Sequence, residues 1–306
     1  MFVFGIDVGG TNVKIGLFND KTELLDNWLI ATNPNSIFQD IAQNIKDYCA
    51  KNEISFEQVL GYGIGIPGLV REGIALNCVN LNWRNVNVVE EFKKAIGYDA
   101  AVVVANDANL AAYGEYSLYQ EKYRTIILIT IGTGVGGGVI TNGEIIEGAN
   151  GLSGELGHIR IDNDYKYQCC CGKVGCLETV ASATGILRLA NRFAFEETGN
   201  PNTYTSTKEV VDLARQNDKY ASKAFHIACE NIAKALAMIC VTLNPDAFII
   251  GGGVSAAGDF LVKTIKEYYL LECFESAKEI DILLSQLRNN AGITGGAALI
   301  IKKRSL

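Results

Sequence analysis

The chain has 306 residues, of which 48% are hydrophobic and 20% are charged, and its formal net charge is −7. These values are typical of a globular protein with a sizeable core, and they argue against a disordered chain. The acidic balance, with no Lys/Arg stripe beyond the tail Lys302-Lys303-Arg304, argues against nucleic acid as a partner.

The amino terminus and the cysteines predict where the protein resides. The chain reaches Asp7 without the basic and long apolar segments of an export signal. Its longest apolar runs, at 125–131 and 247–250, are far shorter than the ~20 residues that cross a bilayer. Nine cysteines, an odd number with four of them in 169–176, favour reduced thiols and a metal site over disulfides. We therefore expect a soluble, cytoplasmic protein without a membrane partner.

The first part of the chain predicts a hairpin followed by alternating helices and strands. Apolar runs at 2–6 and 13–18 flank a turn made of Asp7-Val8-Gly9-Gly10-Thr11-Asn12. The next predicted elements are a helix over 36–51, a strand over 59–66, a helix over 88–96 and a strand over 101–105. Such alternation indicates an α/β architecture.

A second glycine hairpin begins the later part of the chain. The apolar run 125–131 precedes Gly132-Thr133-Gly134-Val135-Gly136-Gly137-Gly138, and the repeated pattern suggests two related lobes without a tether between them. The elements predicted after it are helices over 179–198, 207–216 and 220–243, a strand over 247–250, a helix over 256–271 and a last helix from about 294. The apolar residues of 220–243 recur every three or four positions, which is typical of a core helix.

Both glycine hairpins have the composition of a phosphate-binding turn. Without Cβ atoms, the backbone N–H groups of glycines can converge on an anion. The pattern is neither a P-loop nor a dinucleotide fingerprint, because the glycines join strand to strand. Tight turns without a ligand have similar glycines, but Asp7, Thr11 and Thr133 favour the functional interpretation, with Asp7 holding Mg²⁺ through water. Lys14 is a candidate for neutralising phosphate, and a solvated surface lysine is the alternative.

Asp107 is the candidate catalytic base. The sequence Asn106-Asp107-Ala108-Asn109 follows a buried strand and precedes a helix, at the position where open α/β sheets bind ligands. Phosphoryl transfer to an alcohol needs a group that accepts the hydroxyl proton. The alternative interpretation is that Asn106 or Asp107 serves only as a helix N-cap.

A third cluster contains His158 and four closely spaced cysteines. One histidine and three thiolates complete a tetrahedral zinc shell, and such a closed shell is structural. Glycines at 172 and 175 would form the bends of a tight knuckle. Four cysteines compete for three places, so either Cys169 or Cys170 is excluded. Free thiols in a loop are the alternative interpretation.

Eight motifs in this order resemble the ROK family of repressors, open reading frames and kinases, within the actin-like ATPase superfamily. The resemblance extends from residue 5 to about residue 296. The motifs are Asp7-x-Gly-Gly-Thr, Gly65-Ile66-Pro67-Gly68, Asn80-Leu81-x-Trp83, Asn106-Asp107-Ala108-Asn109, Gly132-Thr133-Gly134-x-Gly136-Gly137-Gly138, Gly154-Glu155-x-Gly157-His158, the cysteine knuckle with Leu177-Glu178, and Asn244-Pro245 through Gly251-Gly252-Gly253.

The resemblance implies a two-lobed actin-like ATPase fold of the ribonuclease H-like type, with ATP and a sugar in the cleft between the lobes. The expected lobes are a small one of residues 1–115, completed by a C-terminal helix over 294–306, and a large one of residues 116–293. The large lobe would contain a zinc knuckle over 158–176.

The resemblance also implies roles for individual residues, with Asp107 as the catalytic base. The positions around the sugar are Gly68, Asn80, Asn106, Asp107, Glu155, His158 and Glu178. The nucleotide positions are Asp7, Gly9, Gly10, Thr11, Asn12, Gly132, Thr133, Gly134, Gly136, Gly137 and Gly252. The family spacing selects Cys169, Cys171 and Cys176, with His158, as the zinc ligands. Cys170 occupies a variable position, and His158 would use its second ring nitrogen for a sugar hydroxyl.

The implied activity is that of an ATP-dependent hexose kinase with Mg²⁺ and a structural Zn²⁺, assembled as a homodimer. The family also contains sugar-responsive repressors, but those need a winged-helix segment before Asp7, which six residues precede in this chain. Glucose is placed first as the sugar because of its frequency in the family. A β-glucoside, fructose, N-acetylmannosamine, N-acetylglucosamine or allose is the alternative.

Overall fold

The computed structural model describes residues 1–161 and 164–304, and the chain forms two compact units. The first unit comprises residues 1–122, 138–153 and those from 289 onward, and the second comprises 123–137 and 154–288. The sequence predicts divisions after residue 115 and before residue 294. Those lobe boundaries stay a prediction.

The strands and helices follow one another in the order expected of an α/β chain. The strands are β1 (Phe2–Val8), β2 (Asn12–Asn19), β3 (Leu24–Ala31), β4 (Val59–Ile66), β5 (Leu69–Arg71), β6 (Ile74–Cys78), β7 (Trp83–Asn87), β8 (Ala101–Asn106), β9 (Thr125–Ile131), β10 (Val135–Thr141), β11 (Glu144–Ile145), β12 (Ala247–Gly251) and β13 (Asp281–Leu284). The α-helices are α1 (Ile37–Lys51), α2 (Val88–Ile96), α3 (Asp107–Ser117), α4 (Glu178–Ala181), α5 (Ala183–Thr198), α6 (Thr207–Ala214), α7 (Lys219–Leu243), α8 (Asp259–Glu272) and α9 (Ala291–Arg304).

The main sheet of the first unit has the strand order β3-β2-β1-β4-β8. β1 is antiparallel to β2 and parallel to β4, and β4 is parallel to β8. Within this register Asp7 pairs with Lys14 on one side and with Gly65 on the other, while Ile66 pairs with Asn106. Parallel strands end at the same edge of a sheet, so the carboxyl ends of β1, β4 and β8 lie together.

Helix α9 packs closely against this sheet because glycines remove the side chains between them. A Cβ on Gly5 would lie 1.8 Å from the backbone oxygen of Ile293, and one on Gly63 would lie 2.1 Å from that of Gly296. Ile293, together with the fully buried Ile300, fills the remaining contact with the sheet. The glycines near the start of α9 therefore serve close packing.

The other five-stranded sheet has the order β11-β10-β9-β12-β13, and β12 is parallel to both of its neighbours. A small antiparallel sheet of β5, β6 and β7 belongs to the first unit. Neither this small sheet nor β3 is predicted from the sequence. These strands are short or largely exposed, so their apolar pattern is weak.

Three predicted helices differ most from those in the structure. The helix predicted over 179–198 is interrupted at Ser182, whose extended backbone and side-chain hydrogen bond from Gly185 N–H cap α5. The helix predicted over 256–271 begins only at Asp259, because Gly258 adopts a φ of 62°. The last helix begins at Ala291, earlier than the predicted 294.

Among the described residues, one helix is long and apolar enough to cross a bilayer on length and composition alone. This helix is α7, and 61% of its most apolar window is buried inside the protein. Its fully buried members include Phe225, Ile232 and Leu236, as predicted for a core helix.

Candidate active site

The edge of the first unit's sheet places two carboxylates close together. Asp7 lies near the end of β1, and Asp107 is the first residue of α3, directly after β8. The negative charge of Asp107 is close enough to raise the pKa of Asp7. Two carboxylates from different strands therefore face a shared region at the sheet edge.

Asn106, and not Asp107, caps helix α3. Its Oδ1 accepts hydrogen bonds from the N–H groups of Ala108 (2.9 Å) and Asn109 (3.1 Å), and its Nδ2 donates to the Gly68 carbonyl (3.0 Å). The Asp107 carboxylate accepts from its neighbour Ala108 N–H at 2.8 Å. Because Asn106 satisfies the helix start, the N-cap interpretation does not explain Asp107.

The surroundings of Asp7 raise the pKa of its carboxyl group. Its pKa is raised from 3.8 to about 6, mainly by burial and also by the charge of Asp107, while Lys14 acts in the opposite direction. Glycines leave room for the carboxylate: a Cβ on Gly65 would lie 3.5 Å from Oδ1, and one on Gly292 would lie 2.9 Å from Oδ2. A site of this kind favours a cation, which would stabilise the ionised form.

Lys14 is half-buried, which differs from a solvated surface lysine. Its ammonium donates to the carbonyl of Asn289 (3.1 Å) and to the side-chain oxygen of Asn290, just before α9. Burial lowers the pKa of Lys14, and Asp7 opposes that change. Lys14 thus connects β2 to the residues that begin α9.

The first glycine hairpin is a turn with an open outer side. Gly9 N–H bonds to the carbonyl of Asn12 (3.0 Å), and Thr32 donates its hydroxyl to the carbonyl of Gly9 (2.8 Å). Gly10, Thr11 and Asn12 are exposed. The predicted phosphate-binding residues at the turn are therefore accessible to a ligand.

Two carbonyl groups of the second glycine hairpin accept hydrogen bonds from the start of α5. Ala183 N–H bonds to the carbonyl of Gly132 (2.8 Å), and the Thr184 hydroxyl donates to the carbonyl of Thr133 (2.9 Å). These residues form the start of α5. A Cβ on Gly132 would meet nothing within 4 Å, so space is open beside this glycine.

A cavity of about 240 Å³ lies in the second unit, beside the start of α5. Its lining residues are Ala183, Thr207, Lys208, Val211, Asp212, Gly253, Val254, Ala256 and Ala257. Sequence reasoning missed most of them, because they belong to three separate segments and no motif joins them. Gly252, a predicted nucleotide residue, has a φ of 81° and packs against Ile131, while its neighbour Gly253 lines the cavity.

The knuckle brings four candidate metal ligands together. The ligand atoms of His158, Cys169, Cys171 and Cys176 all lie within 4.8 Å of one another. His158 Nδ1 is 3.4 Å from the Cys169 sulfur, and the sulfurs of Cys171 and Cys176 are 3.6 Å apart. A tetrahedral zinc with Zn–S of ~2.3 Å and Zn–N of ~2.0 Å places its ligand atoms about 3.5–3.8 Å apart, so this donor set fits zinc.

Backbone geometry shapes the knuckle as the sequence predicts. Cys169 N–H bonds to the carbonyl of Lys173 (2.8 Å), and Gly172 N–H bonds back to that of Cys169 (3.0 Å). Gly172 and Gly175 have φ values of 80° and 79°, which favour glycine. The sequence left Cys169 and Cys170 as alternatives, and the geometry groups Cys169 with the other ligands.

Two carboxylates lie against candidate ligands of the knuckle. His158 directs Nδ1 toward Cys169, and its Nε2 lies 3.7 Å from Oε2 of Glu155. Glu178 Oε1 accepts hydrogen bonds from the thiols of Cys169 (2.9 Å) and Cys170 (3.2 Å). Burial raises the pKa of Glu178, but the hydrogen bonds from the two thiols and the charge of His158 outweigh this effect. The net shift of the pKa is therefore downward. The second unit thus presents Glu155, His158 and Glu178 as one polar group.

The chain resembles known proteins over nearly its whole length. A family model described as the ROK family matches residues 3–303. The glucokinase of Halalkalibacterium halodurans is 36% identical, over 97% of this chain and 94% of that protein. An N-acetylmannosamine kinase of Escherichia coli is 28% identical, over 99% of this chain and 100% of that protein.

A solved structure has the same fold as this chain. The crystal structure of a ROK family glucokinase from Streptomyces griseus, in complex with glucose and AMPPNP, matches with a TM-score of 0.78 and 30% identity. The match covers 98% of this chain and 99% of that one. The predicted α/β fold of the actin-like type is confirmed.

Proposed function

The chain belongs to the ROK family, and from that membership we propose that it is an ATP-dependent hexokinase that converts glucose to glucose 6-phosphate. Relatives named glucokinase support glucose as the acceptor, since the identity is 36% to one of them and 28% to an N-acetylmannosamine kinase. A kinase for an N-acetylated hexose is the second candidate, because relatives of that kind match over nearly the whole chain.

The placement of Asp107 carries this proposal. Asp107 stands at the carboxyl end of a buried parallel strand, and Asn106 takes over the capping of α3. Its carboxylate accepts the proton of the sugar hydroxyl as the oxygen of that hydroxyl bonds to the γ-phosphorus and the bond to ADP breaks. A base of ordinary acidity suffices, because the proton leaves only in the transition state.

The nucleotide is proposed to contact the glycine hairpins and the cavity beside α5. The exposed backbone at Gly10 to Asn12 and at Thr133 suits phosphate oxygens. The cavity of about 240 Å³ next to Gly253 has room for the adenine ring. Asp7 would hold Mg²⁺ through water, and the ion when bound neutralises charge on the phosphates.

The sugar is proposed to contact the positions that the family resemblance assigns to it. These residues are Gly68, Asn80, Asn106, Asp107, Glu155, His158 and Glu178. The orientation of His158 supports two tasks, because Nδ1 faces the cysteines while Nε2 faces Glu155. Glu178 is proposed as a hydrogen-bond acceptor for a sugar hydroxyl, because a glutamate side chain is ionised at neutral pH and can only accept.

The zinc proposal rests on the donor set at the knuckle. His158, Cys169, Cys171 and Cys176 would hold the ion, and a zinc bound to four protein ligands supplies folding energy and no open coordination site. Its proposed task is to fix the His158 ring and the loop that carries the thiols near Glu178.

The cellular setting and the assembly complete the proposal. The nine cysteines are free thiols in the structure, which suits a reducing compartment, and we propose a cytoplasmic protein. We also propose a homodimer, supported by exposed apolar side chains at the ends of α7 and α8.

A coupled assay of ADP release against a panel of sugars tests the function. The panel contains glucose, fructose, a β-glucoside, allose, N-acetylmannosamine and N-acetylglucosamine, with Mg²⁺ and ATP. Glucose should give the highest kcat/KM, and the product should be identified as glucose 6-phosphate. A higher kcat/KM for an N-acetylated hexose would move the assignment to the second candidate, and no turnover with any sugar would refute the kinase proposal.

A further inference from the structure

The carboxylate of Glu178 contacts two different parts of the second unit. On the knuckle side, its Oε1 accepts a hydrogen bond from the thiol of Cys170 (3.2 Å) and lies 2.9 Å from the sulfur of Cys169. On the other side, the carboxylate packs against the second glycine hairpin, where Oε2 lies beside Gly134 and the backbone N–H of Val135 lowers the pKa of Glu178. One side chain therefore joins the knuckle to the hairpin proposed to bind nucleotide.

The glycine next to Val135 makes this contact possible. A Cβ on Gly134 would lie 2.8 Å from Oε2 of Glu178, closer than real Cβ contacts allow. In the same hairpin, a Cβ on Gly132 would meet nothing within 4 Å. Neither glycine has a φ in the left-handed region, so alanine strains the backbone at neither position. The two substitutions therefore differ mainly in the atoms that the new methyl group meets. Glycine at 134 leaves room for the Glu178 carboxylate.

Residues close to Glu178 in the chain also form hydrogen bonds to the knuckle and to the second glycine hairpin. The Thr179 hydroxyl donates to the carbonyl of Cys176 (2.7 Å), at the knuckle. A few residues later, Ala183 N–H and the Thr184 hydroxyl bond to the carbonyls of Gly132 and Thr133. The segment 176–184 is thus fastened to the knuckle at one end and to the hairpin at the other.

We propose that Glu178 is a positioning residue of the nucleotide hairpin, and that it couples the binding of sugar and nucleotide. The coupling rests on the proposed function, in which Glu178 contacts the sugar. A sugar that hydrogen-bonds to the carboxylate restricts its orientation, and the carboxylate in turn holds Val135 N–H and the hairpin. Coupling of this kind is reciprocal, so a nucleotide that orders the hairpin also prepares Glu178 for the sugar.

Nucleotide affinity without any sugar provides the first test. AMPPNP binding is measured by calorimetry for wild type, Glu178→Ala and the matched control Glu155→Ala. Glu178→Ala should bind AMPPNP about tenfold more weakly, the size of one charge-assisted hydrogen bond. Glu155→Ala should bind like wild type, because the Glu155 carboxylate faces His158. Equal affinity in all three proteins would overturn the positioning role, whatever the sugar proves to be.

Sugar affinity without nucleotide provides the second test. Glucose binding is compared in wild type, Gly134→Ala and the matched control Gly132→Ala. Gly134→Ala should weaken glucose binding about tenfold, because the new methyl group displaces the Glu178 carboxylate. Gly132→Ala should keep the wild-type affinity for glucose. Circular dichroism and zinc content establish that the variants are folded, and equal glucose affinity in the two alanine variants would contradict the proposal.

The coupling is measured by repeating the glucose titration in the presence of saturating AMPPNP. Wild type should bind glucose at least about fivefold more tightly with the analogue, and Gly134→Ala should lose most of this factor. A wild type that binds no hexose would refute the proposed function and leave the AMPPNP test of Glu178 in place. A wild type that binds glucose with no change on adding AMPPNP would refute the coupling alone.

Discussion

At the scale of single residues, the two carboxylates at the sheet edge have different surroundings. Asn106 caps α3 and binds the Gly68 carbonyl, which leaves Asp107 at the first helical position. Asp7 lies against glycines and beside Lys14, in a setting that raises its pKa to about 6. These differences lead to separate predictions for the two residues.

Replacing Asp107 with Asn removes the proton acceptor while keeping the size of the side chain. We expect Asp107→Asn to lower kcat by at least the ~10²–10⁴-fold typical of acid–base groups, with glucose affinity largely retained. Steady-state kinetics and calorimetric glucose binding measure the two effects separately. Substantial turnover by Asp107→Asn would exclude this residue as the base.

Replacing Asp7 with Asn should stabilise the protein in the absence of metal and nucleotide. An acid whose pKa is raised on folding binds its proton more tightly in the folded state, so its ionised form opposes folding above the unfolded pKa. A shift from 3.8 to about 6 corresponds to about 3 kcal/mol. Asp7→Asn should therefore raise the free energy of unfolding by up to that amount above pH 6.

The gain should shrink as the pH falls from 6 towards 4, because wild-type Asp7 then becomes protonated. Urea unfolding in EDTA at pH 7.5 and pH 4.5 measures the difference. The same gain at both values would mean that the charge of Asp7 is not its cause, and Asp7→Asn should lose kinase activity in either case.

At the scale of elements, we expect the knuckle to bind zinc through three of its four cysteines. We expect about one zinc per chain, with Zn–S near ~2.3 Å by X-ray absorption. Cys176→Ser should lose the metal, because Cys176 is fully buried among the ligand atoms. Cys170→Ser, the matched control, should keep it, because Cys170 is exposed and grouped with Glu178. Retained zinc in Cys176→Ser, or its loss in Cys170→Ser, would contradict this ligand set.

The packing of α9 against α3 gives another prediction for an element. A Cβ on Gly295 would lie 1.8 Å from the backbone oxygen of Leu110, so Gly295→Ala must push the helices apart. We expect a loss of about 3 kcal/mol in the free energy of unfolding, as for severe overpacking. Activity should fall as well, because α3 begins with Asp107.

Gly253→Ala is the matched control for this packing. A Cβ at that position would meet nothing within 4 Å, and the backbone has no positive φ. Its stability in urea, measured without ligand, should stay within about 0.5 kcal/mol of wild type, as for surface substitutions. If the two variants unfold alike, the contact at Leu110 does not limit the packing of α9.

At the scale of the whole molecule, the exposed apolar side chains support self-association. Contact between Cys240 and Tyr269 brings the ends of α7 and α8 together. Near these ends, Val241, Leu271 and Phe274 are 60%, 80% and 69% exposed. Exposed large apolar side chains are frequent in protein interfaces.

We expect wild type to sediment as a dimer. The double variant Leu271→Glu, Phe274→Glu should sediment as a monomer, because burying unpaired charges in an interface is costly. Phe195→Glu is the control, since Phe195 is also exposed (53%) but lies on α5. Sedimentation velocity distinguishes the two states. A monomeric wild type would refute the homodimer, and a dimeric double variant would place the interface elsewhere.

The sequence by itself determined the features that depend on neighbouring residues. The alternating elements predicted the α/β class, and the strand-to-helix junction at Asn106-Asp107 indicated the candidate base. The spacing of the cysteines indicated a knuckle. Local patterns suffice for such features, because hydrogen bonding within a turn, a hairpin or a helix start involves residues a few positions apart.

Only the tertiary structure decided the features that join distant segments. It grouped Cys169, instead of Cys170, with Cys171 and Cys176, and it placed Lys14 against the residues before α9. It also brought Gly134 against Glu178, and showed that Gly295 serves packing against α3. Each of these contacts depends on side-chain direction and on the approach of backbones far apart in the chain. Glycine spacing alone cannot distinguish a glycine that admits a ligand from one that admits a neighbouring helix or carboxylate.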